Sequence, residues 1–364
     1  MSVAAGIVGL PNVGKSTIYN ALCAAHAPSE NYPFCTIEPN HGVVAIPDPR
    51  LARITSFLPT AKVVPAFLEL DDIAGLVRNA SKGEGLGNQF LGHIKNVDAV
   101  AHVVRCFGDP NVTHVEAGVD PARDASIVNT ELLVKDLETA EHGVSRLAHA
   151  VKTGDKDAAG ALAVCERVRD AIAKGEPARR VVHTAEERAA VRDLFLITAK
   201  PVLYVANIDE TAISGASPAA EALETLAKAE GAECIRVCGK LEAEIAQLDE
   251  SERGEFLKSA GLAESGLALL SRALYRLLGL ETFFTASAPQ NTAWTIPAGT
   301  TAVKAAGVVH TDFEKNFVRA DVYTLADLEA CHNEAGIRAA GRMRSEGRDY
   351  VVKDGDLLFF RTTA

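Results

Sequence analysis

Short apolar runs alternate with amphipathic helical stretches along the first two thirds of the chain. The runs occupy residues 4–8, 63–75, 99–107, 201–210 and 232–240. Continuous apolar runs separated by helical patterns are typical of a parallel sheet covered by helices on both faces. The pattern therefore predicts a doubly wound α/β sheet, whose ligand should lie at the carboxyl ends of the strands.

A long helical segment interrupts this rhythm before residue 200. Apolar residues recur there at steps of four and three, as on one face of a helix: Leu133, Leu137, Ala140, Val144, Leu147 and Val151. After a turn near Gly154, a second seam in residues 157–174 contains Leu162, Cys165, Val168 and Ile172. Thr184 and Glu187 then form a capping box, which predicts the start of a third helix. That helix would carry Val191, Leu194 and Phe195. The pattern predicts an inserted helical hairpin, with a helical layer over the sheet as the alternative.

The pattern changes again after Gly279. Strand-like segments TFFTAS, AWTIPAG, NFVRADVYT and YVVKDGDLLFFRT, the last with a KDGD turn, surround a short helical segment at residues 301–309. This mixture predicts a separate α+β domain. It also holds a local cluster of arginines, which is either an RNA-binding patch or a solvated face: Arg338, Arg342, Arg344 and Arg348.

Composition narrows the possible functions. A chain of 364 residues with 48% hydrophobic and 23% charged positions is expected to form two or three globular domains. The net charge of -11 argues against nucleic-acid binding through bulk charge. Pro11, Asn12 and Lys15 interrupt the apolar start, so neither a signal peptide nor a membrane-spanning helix is predicted. The seven cysteines form no CxxC pair and suit reduced thiols, so a cytoplasmic protein is expected.

The segment after the first apolar run contains the most specific motif. GLPNVGKST, residues 9–17, matches GxxxxGK followed by Ser or Thr between a strand and a helix, a P-loop. Its glycines leave room for backbone N–H groups around a phosphate. Lys15 is predicted to reach the β and γ phosphates, and the Ser16 hydroxyl to ligate Mg²⁺. The residues expected to contact the nucleotide here are Asn12, Val13, Gly14, Lys15, Ser16 and Thr17.

Two further segments fit the phosphate end of such a site. Asp72 and Gly75 form DxxG at the end of an apolar run, where P-loop proteins hold Mg²⁺ and sense the γ phosphate. The neighbouring Asp71 has no glycine three residues later. Thr36, between Pro33 and Pro39, is the expected switch threonine and Mg²⁺ ligand, although an ordered loop would also fit the two prolines.

The residues expected to contact the base do not decide between adenine and guanine. Asn207, Ile208 and Glu210 occupy the place where guanine-binding proteins have N-K-x-D, so Glu210 replaces the aspartate and Ile208 the lysine. The additional methylene of Glu210 moves its carboxylate. Guanine recognition is weakened by these changes but not excluded, and Asn207 alone does not choose between adenine and guanine.

The residues that would activate water also depart from the common pattern. Leu76 follows DxxG where many switches have a glutamine that orients the attacking water, and a leucine side chain cannot form that hydrogen bond. His114, on the loop after the run at 99–107, is a candidate for this role, because imidazole accepts a proton near neutral pH. The alternative is a solvent-facing loop histidine.

Taken together, these motifs resemble the Obg-like ATPases of the YchF type, which are ribosome-associated P-loop proteins of the translation-factor class. The resemblance covers essentially the whole chain. It rests on the motif at residues 207–210 and on these segments: GLPNVGKST, NYPFCTIEPN, DIAGLVRNASKGEGLGNQFL, AWTIPAG and AAGVVHTDFEKNFVRADV.

The resemblance implies a three-part architecture. A P-loop nucleotide domain would comprise residues 1–124 and 200–280, an inserted α-helical hairpin residues 125–199, and a β-grasp domain of the TGS kind residues 281–364. It also implies a catalytic role for His114 beside Lys15 and Gly75, and backbone contacts to the nucleotide near Cys238 and Gly239.

The implied activity is Mg²⁺-dependent hydrolysis of ATP, with GTP used less well. The implied partners are the large ribosomal subunit or the whole ribosome, with ribosomal RNA as a further candidate, and the implied role is a nucleotide switch in translation or stress response. A monomer that binds no membrane is expected. Two other functions are open: a ribosome or RNA adaptor with a structural nucleotide, and a GTP-dependent translation factor.

Overall fold

Two six-stranded sheets form the framework of the computed structural model. The structure describes residues 3–25, 41–73, 96–116, 118–155, 158–213 and 215–363. The first strands in chain order are β1 (Ala4–Val8), β2 (His41–Ile46), β3 (Lys62–Val64), β4 (Ala66–Asp72), β5 (Ala99–Cys106), β6 (Val202–Ile208) and β7 (Glu233–Val237).

The first sheet has the strand order β2-β4-β1-β5-β6-β7. Parallel pairing joins β4, β1, β5, β6 and β7. Every residue of β1, β5 and β6 is buried, as their uninterrupted apolar sequences require. The predicted doubly wound sheet is thereby confirmed.

Helix α1 (Lys15–Ala25) packs against β1, whereas α2 (Pro49–Phe57), which follows β2 in the chain, belongs to the same compact unit as the second sheet. A long helix, α3 (Pro121–Lys152), comes after β5, and its N-terminus is capped by Asp120, which accepts a hydrogen bond from the Arg123 N–H. The remaining helices of this part are α4 (Ala158–Ala173), α5 (Ala185–Val191), α6 (Pro218–Glu230), α7 (Gly239–Ile245), α8 (Glu250–Ser259) and α9 (Gly266–Leu277).

Helices α3 and α4 pack side by side, and the short connection between them makes them antiparallel. Their shared core contains the predicted residues Ala140, Cys165, Val168 and Ile172, with Leu133, Leu137, Val144 and Leu147 packed against it. Thr184 and Glu187 form the predicted capping box of α5. Phe195 does not join this core: it is 58% exposed and has φ +49, because the chain leaves the helix in a left-handed turn.

A second departure concerns residues 63–75, which the apolar pattern assigns to one strand. Pro65 separates β3 from β4, and β3 pairs with a strand of the second sheet. The prediction of a single strand is therefore wrong, because proline has no N–H to donate to a sheet ladder.

The second sheet has the order β11-β10-β12-β8-β9-β3 and comprises, beyond β3, the strands β8 (Leu280–Ala286), β9 (Gln290–Pro297), β10 (Phe317–Thr324), β11 (Arg344–Glu346) and β12 (Asp356–Thr362). Its helices are α10 (Ala302–Val309), α11 (Thr311–Lys315), α12 (Leu325–Cys331) and α13 (Glu334–Ala339). Phe283, Ile296, Ala305 and Leu358 lie in its core, which confirms the predicted α+β character. The residues before the KDGD turn form no strand, since Val351 makes only an isolated bridge with Thr301.

The predicted arginine cluster is largely neutralised within this part of the chain. Arg338 pairs with Asp321, Arg342 with Asp327, and Arg344 with Asp356. Arg348 donates to the Phe317 carbonyl. These partners support a structural, solvated face over a free basic patch.

By its contacts the chain divides into two compact units, Met1–Gly42 with Glu69–Leu270, and Val43–Leu68 with Ser271–Ala364. The three domains and their boundaries inferred from the sequence stay a prediction. Among the described helices, none has both the length and the apolar character needed to cross a membrane.

A buried carboxylate links α3 to the segment that enters β6. Asp136 is fully buried and accepts hydrogen bonds from the backbone N–H groups of Ile197 and Thr198, at 2.9 and 2.6 Å, and from the Thr198 hydroxyl at 2.6 Å. We predict that Asp136→Ala lowers the free energy of unfolding by about 3 kcal/mol, because it leaves buried donors without an acceptor. Urea denaturation measures this change.

The matched control lies one half-turn further along the same helix. Glu138 is half exposed and forms an ion pair with Lys135, so Glu138→Ala should alter stability by about 0.5 kcal/mol or less. Equal losses in the two variants would contradict the role assigned to Asp136.

Candidate nucleotide-binding site

Close backbone approaches define the P-loop between β1 and α1. A Cβ atom at Gly9 would lie 2.3 Å from the Val103 carbonyl oxygen, and one at Gly14 2.2 Å from Asn207 Nδ2. Gly14 also has φ +91, which side chains other than that of glycine rarely adopt. The two motif glycines are therefore required by the packing of the loop against β5 and β6.

The remaining loop residues present different groups. Asn12 is exposed at φ +60, and its side chain donates to the Thr113 carbonyl at 3.1 Å. The Val13 side chain is buried. Ser16 and Thr17 are exposed in the first turn of α1, where free N–H groups of a helix favour anions.

Lys15 is bent back onto the loop. Its ammonium group donates to the Leu10 carbonyl at 2.8 Å, and the residue is only 7% exposed. Burial lowers the pKa of Lys15, and the nearby Asp72 carboxylate partly opposes this shift. An anion at the loop would compensate the buried positive charge.

The Asp72 side chain contacts the start of α1. The Ser16 hydroxyl donates to Asp72 Oδ2 at 3.1 Å. Asp72 Oδ1 is buried and has no hydrogen-bond partner among the described residues. Asp71 points elsewhere, to His41 at 2.6 Å. Thr36 and Gly75, the other two residues predicted at the phosphate end, lie outside the described residues, as does Leu76.

Asn207 joins the P-loop to the loop before α7. Its Nδ2 donates to the Val13 carbonyl, and its Oδ1 accepts from the Gly239 N–H, both at 2.9 Å. The side chain is thus engaged with backbone groups on both sides. Ile208 is 4% exposed, whereas Glu210 is exposed at the start of a 3-10 turn.

A cavity opens beside these residues at the carboxyl ends of β5, β6 and β7. Its lining includes Gly14, Thr17, Asn207, Ile208, Glu210, Cys238 and Gly239, all predicted to contact the nucleotide. It also includes Lys240, at the end of the segment expected to make backbone contacts, and Phe107, which the sequence reasoning did not select. An aromatic residue directly after a central parallel strand was the available signal for Phe107.

A buried arginine organises the loop that carries Phe107. Arg105 is 2% exposed and donates to the carbonyls of Phe107, Asp109 and Val112. Its guanidinium group also lies 4.4 Å from the centroid of the Phe107 ring. The loop at one wall of the cavity is therefore anchored from inside the domain.

His114 follows on the same loop and is not a solvent-facing residue, since its side chain is 8% exposed. Its Nε2 lies 2.8 Å from Asp124 Oδ2, and its Nδ1 accepts from the Glu116 N–H at 3.0 Å. Asp124, ten residues later, was not anticipated from the sequence. The adjacent Thr113 carbonyl contacts Asn12 of the P-loop, so the histidine loop touches the predicted phosphate site through its backbone.

Comparisons with known proteins agree with this geometry. A family model described as 50S ribosome-binding GTPase matches residues 4–135, and a YchF GTPase C-terminal model, described as a protein of unknown function, matches residues 280–363. The chain is 48% identical over 360 residues to the ribosome-binding ATPase YchF of Escherichia coli O157:H7, and the match covers 99% of both chains. It belongs to the YchF family.

Other members support the same assignment. The ribosome-binding ATPase YchF of Bacillus subtilis is 47% identical over 363 residues, again covering 99% of both chains. The solved structure of the Schizosaccharomyces pombe YchF GTPase is 36% identical and has a TM-score of 0.89, covering 99% of this chain and 98% of that one. The similarity to YchF proteins therefore covers both compact units of the chain, including the residues of the candidate site.

The close approach of Gly14 to Asn207 can be tested by substitution. Gly14→Ala should reduce the free energy of unfolding by about 2 kcal/mol or more, because the new Cβ meets Asn207 Nδ2 in a left-handed backbone. Urea denaturation provides the measurement. Gly254→Ala is the control: Gly254 lies within α8 with open space around it, so alanine there should stabilise by up to about 1 kcal/mol. Unchanged stability of Gly14→Ala would show that the loop is not held as described.

Proposed function

We propose that this chain is a Mg²⁺-dependent P-loop ATPase that binds ribosomes and switches between nucleotide states. The observation that carries the proposal is the cluster of Lys15, Ser16 and Asp72 at the start of α1. It combines a buried cation with a carboxylate oxygen that has no hydrogen-bond partner in the part of the chain that the structure describes, beside the N-terminus of a helix. The phosphates of a nucleoside triphosphate would compensate the positive charge of Lys15, and a divalent cation bound to them would compensate the negative charge of Asp72.

The donors fit magnesium. Asp72 Oδ1 is a buried acceptor without a partner among the described residues, and the Ser16 hydroxyl lies against the other oxygen of the same carboxylate. Carboxylate and hydroxyl oxygens are hard ligands of the kind that Mg²⁺ prefers. Ser16 and Asp72, together with Thr36, would hold the ion, which when bound neutralises charge on the β and γ phosphates.

The chain's own residues would then have separate roles in phosphate binding and hydrolysis. Backbone N–H groups of residues 12–17 bind phosphate oxygens, and Lys15 exchanges the Leu10 carbonyl for the β and γ phosphates. Gly75 and Thr36, which lie outside the described residues, are assigned by their sequence positions to sensing the γ phosphate. His114 takes the role that Leu76 cannot perform and positions the attacking water.

Base selection falls to a small set of groups. The Asn207 amide already bonds Val13 and Gly239, so it positions the pocket more than it reads the base. Glu210 is exposed at the cavity and replaces the guanine-reading aspartate, which supports a preference for ATP over GTP. The bacterial relatives are named ATPases, whereas the S. pombe protein is described as a GTPase. A GTP-dependent factor is therefore the second candidate.

The ribosome is the proposed partner. Bacterial relatives at 48% and 47% identity are named ribosome-binding, and the matching family model refers to the 50S subunit. These names support a cytoplasmic protein that contacts the large subunit or the whole ribosome. Binding of ribosomal RNA and the monomeric state stay predictions.

Phosphate release from ATP, with and without ribosomes, tests the proposed activity. Wild type should turn over ATP, and Lys15→Ala should lose affinity for nucleotide by about tenfold or more. His114→Ala should lower the hydrolysis rate by about tenfold or more while leaving ATP affinity unchanged. His142→Ala, which removes an exposed histidine of α3, should behave as wild type.

The outcomes separate the candidate functions. Absence of turnover by wild type in both conditions would replace the ATPase by an adaptor with a structural nucleotide. Wild-type affinity in Lys15→Ala would refute the assigned phosphate site.

Nucleotide preference has its own prediction. In calorimetric titrations, wild type should bind ATP more tightly than GTP, and Glu210→Asp should shift the ratio toward GTP because the shorter side chain restores the guanine-reading carboxylate. Glu221→Asp, at an exposed residue in the first turn of α6 outside the cavity lining, is the matched control and should leave the ratio unchanged. Equal or tighter GTP binding by wild type would favour the GTP-dependent factor.

A further inference from the structure

The two ring nitrogens of His114 are both occupied by the protein. The Glu116 N–H donates to Nδ1 at 3.0 Å, and an N–H can be donated only to a nitrogen that has a lone pair. Nδ1 is therefore unprotonated, and the ring proton lies on Nε2, which donates it to Asp124 Oδ2 at 2.8 Å. This arrangement fixes a neutral imidazole in the Nε2–H tautomer.

Asp124 is itself held firmly. Its side chain is 2% exposed, and its other oxygen accepts two hydrogen bonds from Arg123, at 3.0 Å from Nε and 2.8 Å from Nη2. Arg123 also donates to the Gly118 carbonyl. One oxygen of Asp124 thus faces the Arg123 guanidinium group, while the other contacts the His114 ring.

This geometry differs from that of a productive acid–histidine pair. In such a pair the carboxylate orients the ring through one nitrogen, and the other nitrogen is free to take a proton from the nucleophile. In His114 the second nitrogen already accepts from Glu116, and the side chain is 8% exposed. No lone pair of the ring is left for an attacking water.

The loop is nevertheless in place at the phosphate site. The Thr113 carbonyl accepts from Asn12 of the P-loop at 3.1 Å, so the residue before His114 already touches the loop that binds phosphate. Only the imidazole is turned away, toward the first turn of α3. Rotation of one side chain would therefore separate the resting from the active arrangement.

We propose that Asp124, supported by Arg123, is a positioning residue that holds His114 in a resting conformation, and that hydrolysis requires the ring to leave both its contact with Asp124 and its contact with the Glu116 N–H. This inference rests on the proposed ATPase activity and on the role of His114 in it. An activating partner would then act by favouring the rotated conformation of the His114 side chain.

Single-turnover hydrolysis of ATP provides the kinetic test. Asp124→Asn keeps the shape of the side chain and removes its charge, so the resting contact weakens and the hydrolysis rate should rise about fivefold at unchanged ATP affinity. The gain should vanish in the double variant with His114→Ala. Asp120→Asn is the matched control, because it removes a charge four residues away and keeps a good helix cap, and its rate should equal that of wild type.

Arg123→Gln provides a second variant in case Asp124→Asn does not fold. It removes the support of Asp124 at a side chain that is 34% exposed, and a smaller rise in the same direction is expected. A hydrolysis rate of Asp124→Asn at or below that of wild type, with His114 present, would overturn the inference and make Asp124 a productive orienting residue.

Ring ¹⁵N chemical shifts of His114 test the resting contact without any hydrolysis. Nucleotide-free wild type and Asp120→Asn should show the Nε2–H tautomer, and Asp124→Asn should lose its predominance. A wild-type ring protonated at Nδ1 would refute the proposed contact. A chain that shows the Nε2–H tautomer but never hydrolyses ATP would defeat the proposed function while leaving the contact intact.

Discussion

The side-chain amide of Asn207 is the contact on which the geometry of the whole site depends. It bonds the Val13 carbonyl and the Gly239 N–H, and so ties the phosphate loop to the loop at the other side of the base cavity. The same amide lies 2.2 Å from where a Cβ of residue 14 would be, which restricts that position to glycine. The loops proposed to contact the phosphates and the base are therefore joined by one side chain at the ends of β1, β6 and β7.

Near this contact lie two charged groups, Lys15 and Asp72, whose charges the described residues compensate only in part. Within the described ranges of the chain, the buried Lys15 ammonium group donates to a single carbonyl and Asp72 Oδ1 has no partner, and burial lowers the pKa of Lys15. Each feature costs folding free energy in the absence of a ligand. Such unsatisfied groups concentrate at functional sites, where the ligand completes them.

Much of the fold could be predicted because local periodicity reports burial. The fully buried strands β1, β5 and β6 and the seam of Leu133 to Leu147 follow directly from their apolar spacing. The failures have local physical causes. Pro65 divides one apolar run between two sheets, and the left-handed backbone at Phe195 turns an apolar side chain out of the core that periodicity assigned to it.

In the candidate site, too, some features were predictable from the sequence and others were visible only in the structure. The sequence alone determined the P-loop, the DxxG aspartate and the cavity residues near 207–210, since each depends on residue types at fixed short spacing. Only the tertiary structure decided that the Asn207 amide is used between two loops, that Phe107 lines the cavity, and that His114 faces Asp124. These contacts depend on side-chain directions and on the meeting of segments up to 194 residues apart, which no local pattern of apolar and polar positions encodes.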